Sequence, residues 1–361
     1  MIMTDRHYWY ELLKIETISN GIIDRLLEIY GSPAEIMKRK TIPEFTDFLQ
    51  KKFEEVKSQE RSIAYEYDHL IDQDIRLYIR EDQDFPEKLK NIPDSPCALF
   101  VKGKLPPPAV PAIAIIGARE STAHGRWMAE KIAGELAVCG LPVISGMAEG
   151  IDGSGHKGAL AAGGLTYAVL GCGIDICYPK CHEKLYEQIS KNGGVISEYP
   201  PGTPGLAYYF PKRNRIISAL SDIVLVVEAR EKSGSLITVS YALEQGRDVM
   251  AVPGRPDDSF SFSCNRLIRE GAGVCTCTED ILTQLDLLVP PEERISDSAA
   301  KLATLNEPET AIYNLLSGTP LHTDELIIRT GLSYSDLIQI LISLELKGLA
   351  TSPSNNMYQK K

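Results

Sequence analysis

Six short apolar runs constrain the fold of this chain more than any other feature: AIAIIG (112–117), LPVISG (141–146), TYAVLG (166–171), GVISEY (194–199), DIVLVVEA (222–229) and DVMAVPG (248–254). A strand with one wet face alternates apolar and polar residues, whereas these runs are nearly continuous, so both of their faces must be covered. Amphipathic helical segments separate several of them, which is the connection that parallel strands require. The runs therefore predict an α/β core with a mostly parallel sheet and helices on both sides. RLYIR (76–80) and CALFVKG (97–103) read as further strands, and the Pro-rich KLPPPAVP (104–111) as an extended connector into the core.

At 361 residues the chain is long enough for two or three domains. Residues 1–65 read as a small helical domain, in which Ile22, Ile23, Leu26, Leu27 and Tyr30 share one helix face before the stop at Gly31-Ser32-Pro33. The core is expected over 66–288, a linker over 289–304, and a last unit over 305–361 with three helices and a short hairpin in the order of a winged helix. The third of those helices offers Asp336 and Glu345 against Lys347, which favours a protein-interaction or packing role over DNA reading.

The formal net charge of -11 excludes a protein that coats nucleic acid over its whole surface, so such a site has to be a local patch. No apolar run approaches the roughly 20 residues of a membrane span and the start carries no leader pattern, so a cytoplasmic protein is expected. The eight cysteines read as reduced thiols rather than a disulfide framework. Cys172, Cys177, Cys181 and His182, with Cys275 and Cys277, contain no CxxC pair, and no metal is expected. There is no GxxxxGK[ST], HExxH or GxSxG, and GCGIDI places Ile176 where a dinucleotide fingerprint needs its third glycine. Asp152 and His156 read as part of a capped helix start rather than an acid–base pair.

Three turns follow strands and open helices: Gly117-Ala118-Arg119, Ser145-Gly146 with Gly150-Ile151-Asp152, and Ser233-Gly234-Ser235. At the carboxyl edge of a parallel sheet, such turns aim helix N-termini and their free N–H groups at one crevice, where phosphate oxygens fit. The plainer reading is that glycine permits tight turns and serine caps helices. YYFPKRNRIISAL (208–220) adds three cations, Lys212, Arg213 and Arg215, at a helix start with Pro211 in its first turn. On a helical wheel, Ile216, Ile217 and Leu220 centre the buried stripe near Arg213, leaving Lys212 on its flank and Arg215 toward solvent. Cations oppose the dipole there and need an anion, either a carboxylate such as Glu228 or Glu231 or a bound phosphate backbone.

In order, GAR, SGMAEGID…H..AL, YP..H..L, ISEYPPGTP, FPKRNRIISALSDIVLVVEA, SGSLIT…ALEQGR, VPG and N.LI..GA resemble the DprA/Smf family of DNA-processing proteins. The resemblance implies an extended Rossmann-like core that binds single-stranded DNA, flanked by a sterile-alpha-motif-like domain and a winged helix. It implies a homodimer that protects incoming DNA and helps load a RecA-type recombinase in natural transformation, with neither catalysis nor a cofactor. Matched position by position, the DNA-binding residues would be Gly117, Arg119, Ser145, Gly146, Lys180, Phe210, Lys212, Arg213, Asn214 and Arg215. The cations and N–H groups would hold the DNA backbone, and Phe210, Tyr208 or Tyr209 would stack a base. Two positions depart from the family pattern: Ser263 stands where glycine is usual, and ETISNGII replaces a glycine-rich hairpin, so no DNA contact is assigned to the N-terminal domain. The alternatives are a nucleotide-binding or nucleotide-hydrolysing enzyme, whose PGGxGTxxE glycines are missing from KSGSLITVSYALE, and an adaptor whose basic edge binds an acidic protein.

Overall fold

A computed structural model describes residues 3–286, 305–317, 320–347, 349–354 and 356–360. The chain divides into two compact units, 1–286 and 287–361. The expected linker, 289–304, lies outside the described residues.

The first unit opens with five helices, α1 (Asp5–Leu13), α2 (Asn20–Tyr30), α3 (Pro33–Met37), α4 (Asp47–Ser58) and α5 (Glu60–Asp72). Local chemistry sets their ends: the Ser19 hydroxyl accepts the Ile22 N–H to start α2, Gly31 at φ 84° stops it, and Ser32 with Pro33 starts α3. Helix α5 continues seven residues past the expected boundary at 65, to Asp72. Trp9, Tyr10, Leu12, Ile23, Leu26 and Phe53 do not form a core of their own. They join Phe100, Ala168, Leu170 and Val195 of the sheet in one cluster. The N-terminal helices thus serve as a covering layer for the sheet.

The sheet has nine strands: β1 (Ile75–Ile79), β2 (Ala98–Gly103), β3 (Ile113–Ile116), β4 (Val143–Ser145), β5 (Thr166–Leu170), β6 (Gly193–Ser197), β7 (Ile223–Val226), β8 (Asp248–Ala251) and β9 (Gly273–Val274). Their spatial order is β1-β2-β6-β5-β4-β3-β7-β8-β9, parallel from β6 to β9, with β1 and β2 antiparallel at one edge. From β3 the chain first builds outward through β4, β5 and β6, then returns to add β7 beside β3, pairing Ile113 with both Val143 and Ile223. That reversal opens a crevice at the carboxyl ends of β3, β4 and β7.

Helices α6 (Glu87–Lys90), α7 (Ala123–Val138), α8 (Ile151–Ala161), α9 (Glu183–Lys191), α10 (Tyr209–Leu220), α11 (Ser235–Glu244), α12 (Phe262–Arg269) and α13 (Thr278–Gln284) cover the two faces of the sheet. Alternate residues of β3 serve opposite layers. Ile113 and Ile115 pack with α7, α8 and α13, while Ala114 and Ile116 pack with α10, α11 and α12. Two-sided burial explains why β3 and β7 carry no polar alternation.

The second unit contains helices Glu307–Leu315, Thr323–Thr330 and Tyr334–Leu346 and a three-stranded sheet in the order β10 (Leu321–His322), β12 (Met357–Lys360), β11 (Ala350–Ser354). Ile312, Leu316, Leu326, Leu337, Leu341 and Leu344 form its core, in the order of a winged helix. Lys347, the cation beside its third helix, pairs with Glu309 at 2.6 Å.

Helices α7 and α8 meet backbone to backbone: a Cβ on Gly158 would lie 2.1 Å from the Glu130 carbonyl oxygen. Gly158→Val is expected to lower stability by about 3 kcal/mol, the upper end of overpacking costs, because a carbonyl rather than a pliable side chain is in the way. Urea unfolding checks this, and an unchanged midpoint would refute the close contact.

Candidate nucleic-acid interface

The crevice is a cleft of about 500 Å³ at the carboxyl ends of β3 and β7. Residues 116–120, Ala148, Asp152, the start of α10, Arg230, the turn 232–234 and the start of α11 line it. Gly117 is required by contact: a Cβ there would lie 2.6 Å from the Ile151 side chain and 2.8 Å from the Glu228 carbonyl. Gly150, at φ 79°, brings the N-terminus of α8 against the same turn, where a Cβ would be 2.4 Å from the carbonyls of Ala118 and Arg119. On the β7 side, the hydroxyls of Ser233 and Ser235 lie 2.7 Å apart at the start of α11. The three turns thus converge on one space, where the helix N-termini favour anions.

Arg119 is exposed, with its guanidinium 5.6 Å from the centre of the Phe210 ring. Phe210 is half-buried and packs against Tyr178, the ring centres 5.0 Å apart. Arg213 is 4% exposed and forms the cleft floor, donating to the Gly146 carbonyl at 2.9 Å and to the Val169 carbonyl. Burial lowers its pKa to about 10, with Asp152 opposing that shift and Arg119 adding to it, so it is still charged at neutral pH. Four cations, Arg119, Arg213, Arg230 and Lys232, face two carboxylates, Glu120 and Asp152, along the lining. A chain with net charge -11 therefore concentrates positive charge here.

Of the ten residues that the sequence pattern marks for DNA binding, Gly117, Arg119, Phe210, Arg213 and Asn214 line the cleft. Ser145 is buried and donates to the Ile115 carbonyl at 2.6 Å, tying β4 to β3. Gly146 backs Arg213, whose guanidinium would lie 2.6 Å from a Cβ at that position. Lys180 is exposed at the start of a short 3-10 turn, Lys180–His182, apart from the cleft-lining residues. Lys212 pairs with Asp94 at 3.5 Å and lines a second cavity.

Arg215 does not face solvent as the helical wheel predicts. It is 2% exposed, bonded to Glu198 at 2.5 Å and to the Asp94 carbonyl at 2.8 Å. Burial works against its charge, but Glu198 and Asp94 outweigh it and hold its pKa above the ordinary arginine value. A wheel registers only the apolar stripe of its own helix, whereas Asp94 and Glu198 arrive from loops outside it. The same two carboxylates, rather than Glu228 or Glu231, pair with Lys212 and Arg215 of this helix start, while Asp152 faces Arg213. Glu228 instead accepts from the Thr122 N–H at 2.9 Å and hydroxyl at 2.5 Å ahead of α7, and Glu231 is exposed.

Asp152 and His156 are each committed elsewhere. The Asp152 carboxylate accepts the Gly146 N–H at 3.1 Å, and burial raises its pKa. His156 bonds the Thr166 hydroxyl at 2.7 Å, and burial, with lesser contributions from His182 and Arg213, pushes its pKa down to about 3, so it is neutral. The thiols of Cys172 and Cys177 donate to the carbonyls of Ile176 and Pro179. Ser263 falls in α12, where a right-handed backbone has no need of glycine, and its hydroxyl donates to the Arg230 carbonyl at 2.8 Å. Arg230 and Lys232 join the lining without any motif in the sequence to mark them. Their one signal is position: they lie in the turn directly after the apolar run of β7, just ahead of Ser233-Gly234-Ser235.

Comparison with known proteins gives matches over both units. The sequence profile of DNA recombination-mediator protein A matches residues 76–286, and that of the DprA winged helix domain matches 296–354. The chain is 30% identical to Protein Smf of Synechocystis over 398 aligned residues, covering all of both proteins. It is 42% identical to DNA processing protein DprA of Streptococcus pneumoniae over 205 residues, 57% of this chain and 72% of that one. Among solved structures, DprA from Streptococcus pneumoniae superposes with a TM-score of 0.65 at 34% identity, covering 78% of this chain and 98% of the other. DNA processing protein A from Helicobacter pylori, described for its single-stranded DNA binding mode, gives 0.52 at 28% identity, covering 58% and 95%.

The two arginines make opposite predictions. Glu198→Ala leaves Arg215 buried without its main partner and is expected to cost about 3–5 kcal/mol of stability. Arg119→Ala, at an exposed site, should stay within about 0.5 kcal/mol. Urea unfolding of both variants checks the pair, and a negligible effect of Glu198→Ala would contradict the buried ion pair.

Proposed function

Because the chain belongs to the DNA recombination-mediator protein A (DprA/Smf) family, we propose that it binds single-stranded DNA in the cleft as a recombination mediator in transformation. The observation that carries this reading is the cleft itself: four cations and three converging helix starts beside a half-buried phenylalanine, in an otherwise acidic chain. Backbone N–H groups and guanidinium ions bind phosphates irrespective of sequence. Phe210 offers a face on which any base can stack. The preference for single strands follows, since in a duplex both faces of each base are already covered by its neighbours.

The protein works without catalysis: His156 is neutral and buried, and Asp152 is held by a backbone N–H, so neither is set to move a proton. It acts as a homodimer that protects incoming DNA and passes it to a RecA-type recombinase in the cytoplasm. Among the described residues, no helix is long and apolar enough to cross a membrane. The winged-helix unit serves protein contacts, because Lys347 is engaged with Glu309 and leaves Asp336 and Glu345 to set the charge of the third helix.

Binding of single- and double-stranded oligonucleotides of equal length, followed by fluorescence anisotropy across a salt series, tests this reading. The single strand should bind more tightly, and log affinity should fall with log salt at about -0.7 per phosphate contact. Arg119→Ala with Lys232→Ala should remove about 1.4 from the magnitude of that slope and weaken binding at least tenfold. A flat salt dependence, or equal affinity for the duplex, would overturn the proposal.

A further inference from the structure

The start of α10 divides two cavities. Phe210, Pro211, Arg213 and Asn214 line the cleft, while Tyr208, Tyr209 and Lys212 line a second cavity of about 250 Å³ on the other side of the same turn. The far wall of this second space is the loop after α1, from Leu13 to Asn20, in the domain whose sequence gives no sign of DNA contact.

Its chemistry differs from that of the cleft. Two cations, Lys14 and Lys212, face two carboxylates, Glu16 and Glu198, and each has an opposite charge close by: Lys14 with Glu66 at 3.0 Å, Lys212 with Asp94 at 3.5 Å, Glu16 with Lys52 at 2.9 Å and Glu198 with Arg215 at 2.5 Å. There is no positive excess to hold a phosphate. What the cavity offers instead is aromatic surface. Tyr199, Tyr209 and Tyr208 run in series, with ring centres 4.2 Å and 4.3 Å apart, and Tyr208 at the end of the series is 58% exposed. Two lining side chains also hold unused polar atoms. Glu198 Oε1 accepts from Arg215 and from Asn20 at 2.8 Å, but its buried Oε2 has no partner, and neither has the buried Tyr199 hydroxyl. An unfilled buried acceptor beside a stacking surface calls for a flat, neutral ligand that carries an N–H donor.

We propose that this second cavity takes one nucleobase of the strand whose phosphates lie in the cleft, stacked on Tyr208 and read by Glu198 through an exocyclic amine. The inference rests on the single-strand binding proposed above. Consecutive residues Tyr209 and Phe210 belong to opposite cavities, so a strand crossing the start of α10 meets both aromatic walls in turn. Cytosine, adenine and guanine carry the amine, and thymine does not. The N-terminal helices would thereby add a base preference to an otherwise sequence-tolerant site.

The test compares oligo(dC) with oligo(dT) of equal length, two pyrimidine strands, on the full chain and on Tyr208→Ala and Tyr208→Phe. The wild type should favour oligo(dC) at least about tenfold, as expected of one hydrogen bond to a charged acceptor. Tyr208→Ala should weaken oligo(dC) binding about tenfold and flatten the preference, while Tyr208→Phe should retain both. Equal affinity of the wild type for the two strands, or unchanged binding by Tyr208→Ala, would overturn the base pocket and leave single-strand binding standing. Failure of the wild type to bind either strand would instead remove the functional reading and this inference with it. Should Tyr208→Ala lose its cooperative unfolding transition, the oligo(dC) to oligo(dT) ratio of the wild type decides alone.

Discussion

The buried guanidinium of Arg213 holds the site together. From the first turns of α10 it reaches under the cleft and donates to carbonyls just beyond β4 and at the end of β5, fixing the helix across the carboxyl edge of the sheet. Gly146 has no side chain because the guanidinium occupies the space where a Cβ would stand. Burying that charge is costly, and Asp152, itself buried, partly compensates it. The arrangement brings a positive charge beneath the space where a phosphate would sit, already desolvated and oriented. A group fixed in this way loses little further freedom on binding.

A second arginine on the same helix has a different role. Arg215 joins Glu198 and Asp94, and Glu198 in turn accepts from Asn20 at the start of α2. Through this polar network α10 is tied to the N-terminal helices, whose apolar side chains rest on the sheet. The motif FPKRNR therefore separates into a scaffold pair, Arg213 and Arg215, and surface groups, Phe210, Lys212 and Asn214, facing two different cavities. Its concentration of charge is explained as much by holding the fold together as by meeting a ligand.

Much of this architecture is legible in the amino-acid sequence. The unbroken apolar strands demand two-sided burial, and the three glycine- or serine-bearing turns do converge on one cleft. The features that escape a reading of the sequence depend on partners far along the chain. The solvent-facing expectation for Arg215 fails because Asp94 and Glu198, 121 and 17 residues away, close over it. Ser145 is marked for DNA binding by the family resemblance and by its place at a strand-to-helix turn, yet its hydroxyl is used between β3 and β4. The helices of residues 1–65 read as autonomous because periodicity reports a buried face without saying what buries it, and here the sheet does. Arg230 and Lys232 escape because single cations in a turn carry no pattern, and only the fold brings them into one cleft with Arg119.

The most direct measurement is a crystal structure of the protein with a short single-stranded oligonucleotide bound. Phosphates are expected within hydrogen-bond distance of Arg119 and Lys232, which line the cleft, with a base against Phe210. An oligonucleotide bound elsewhere on the chain, with this cleft empty, would contradict this binding mode.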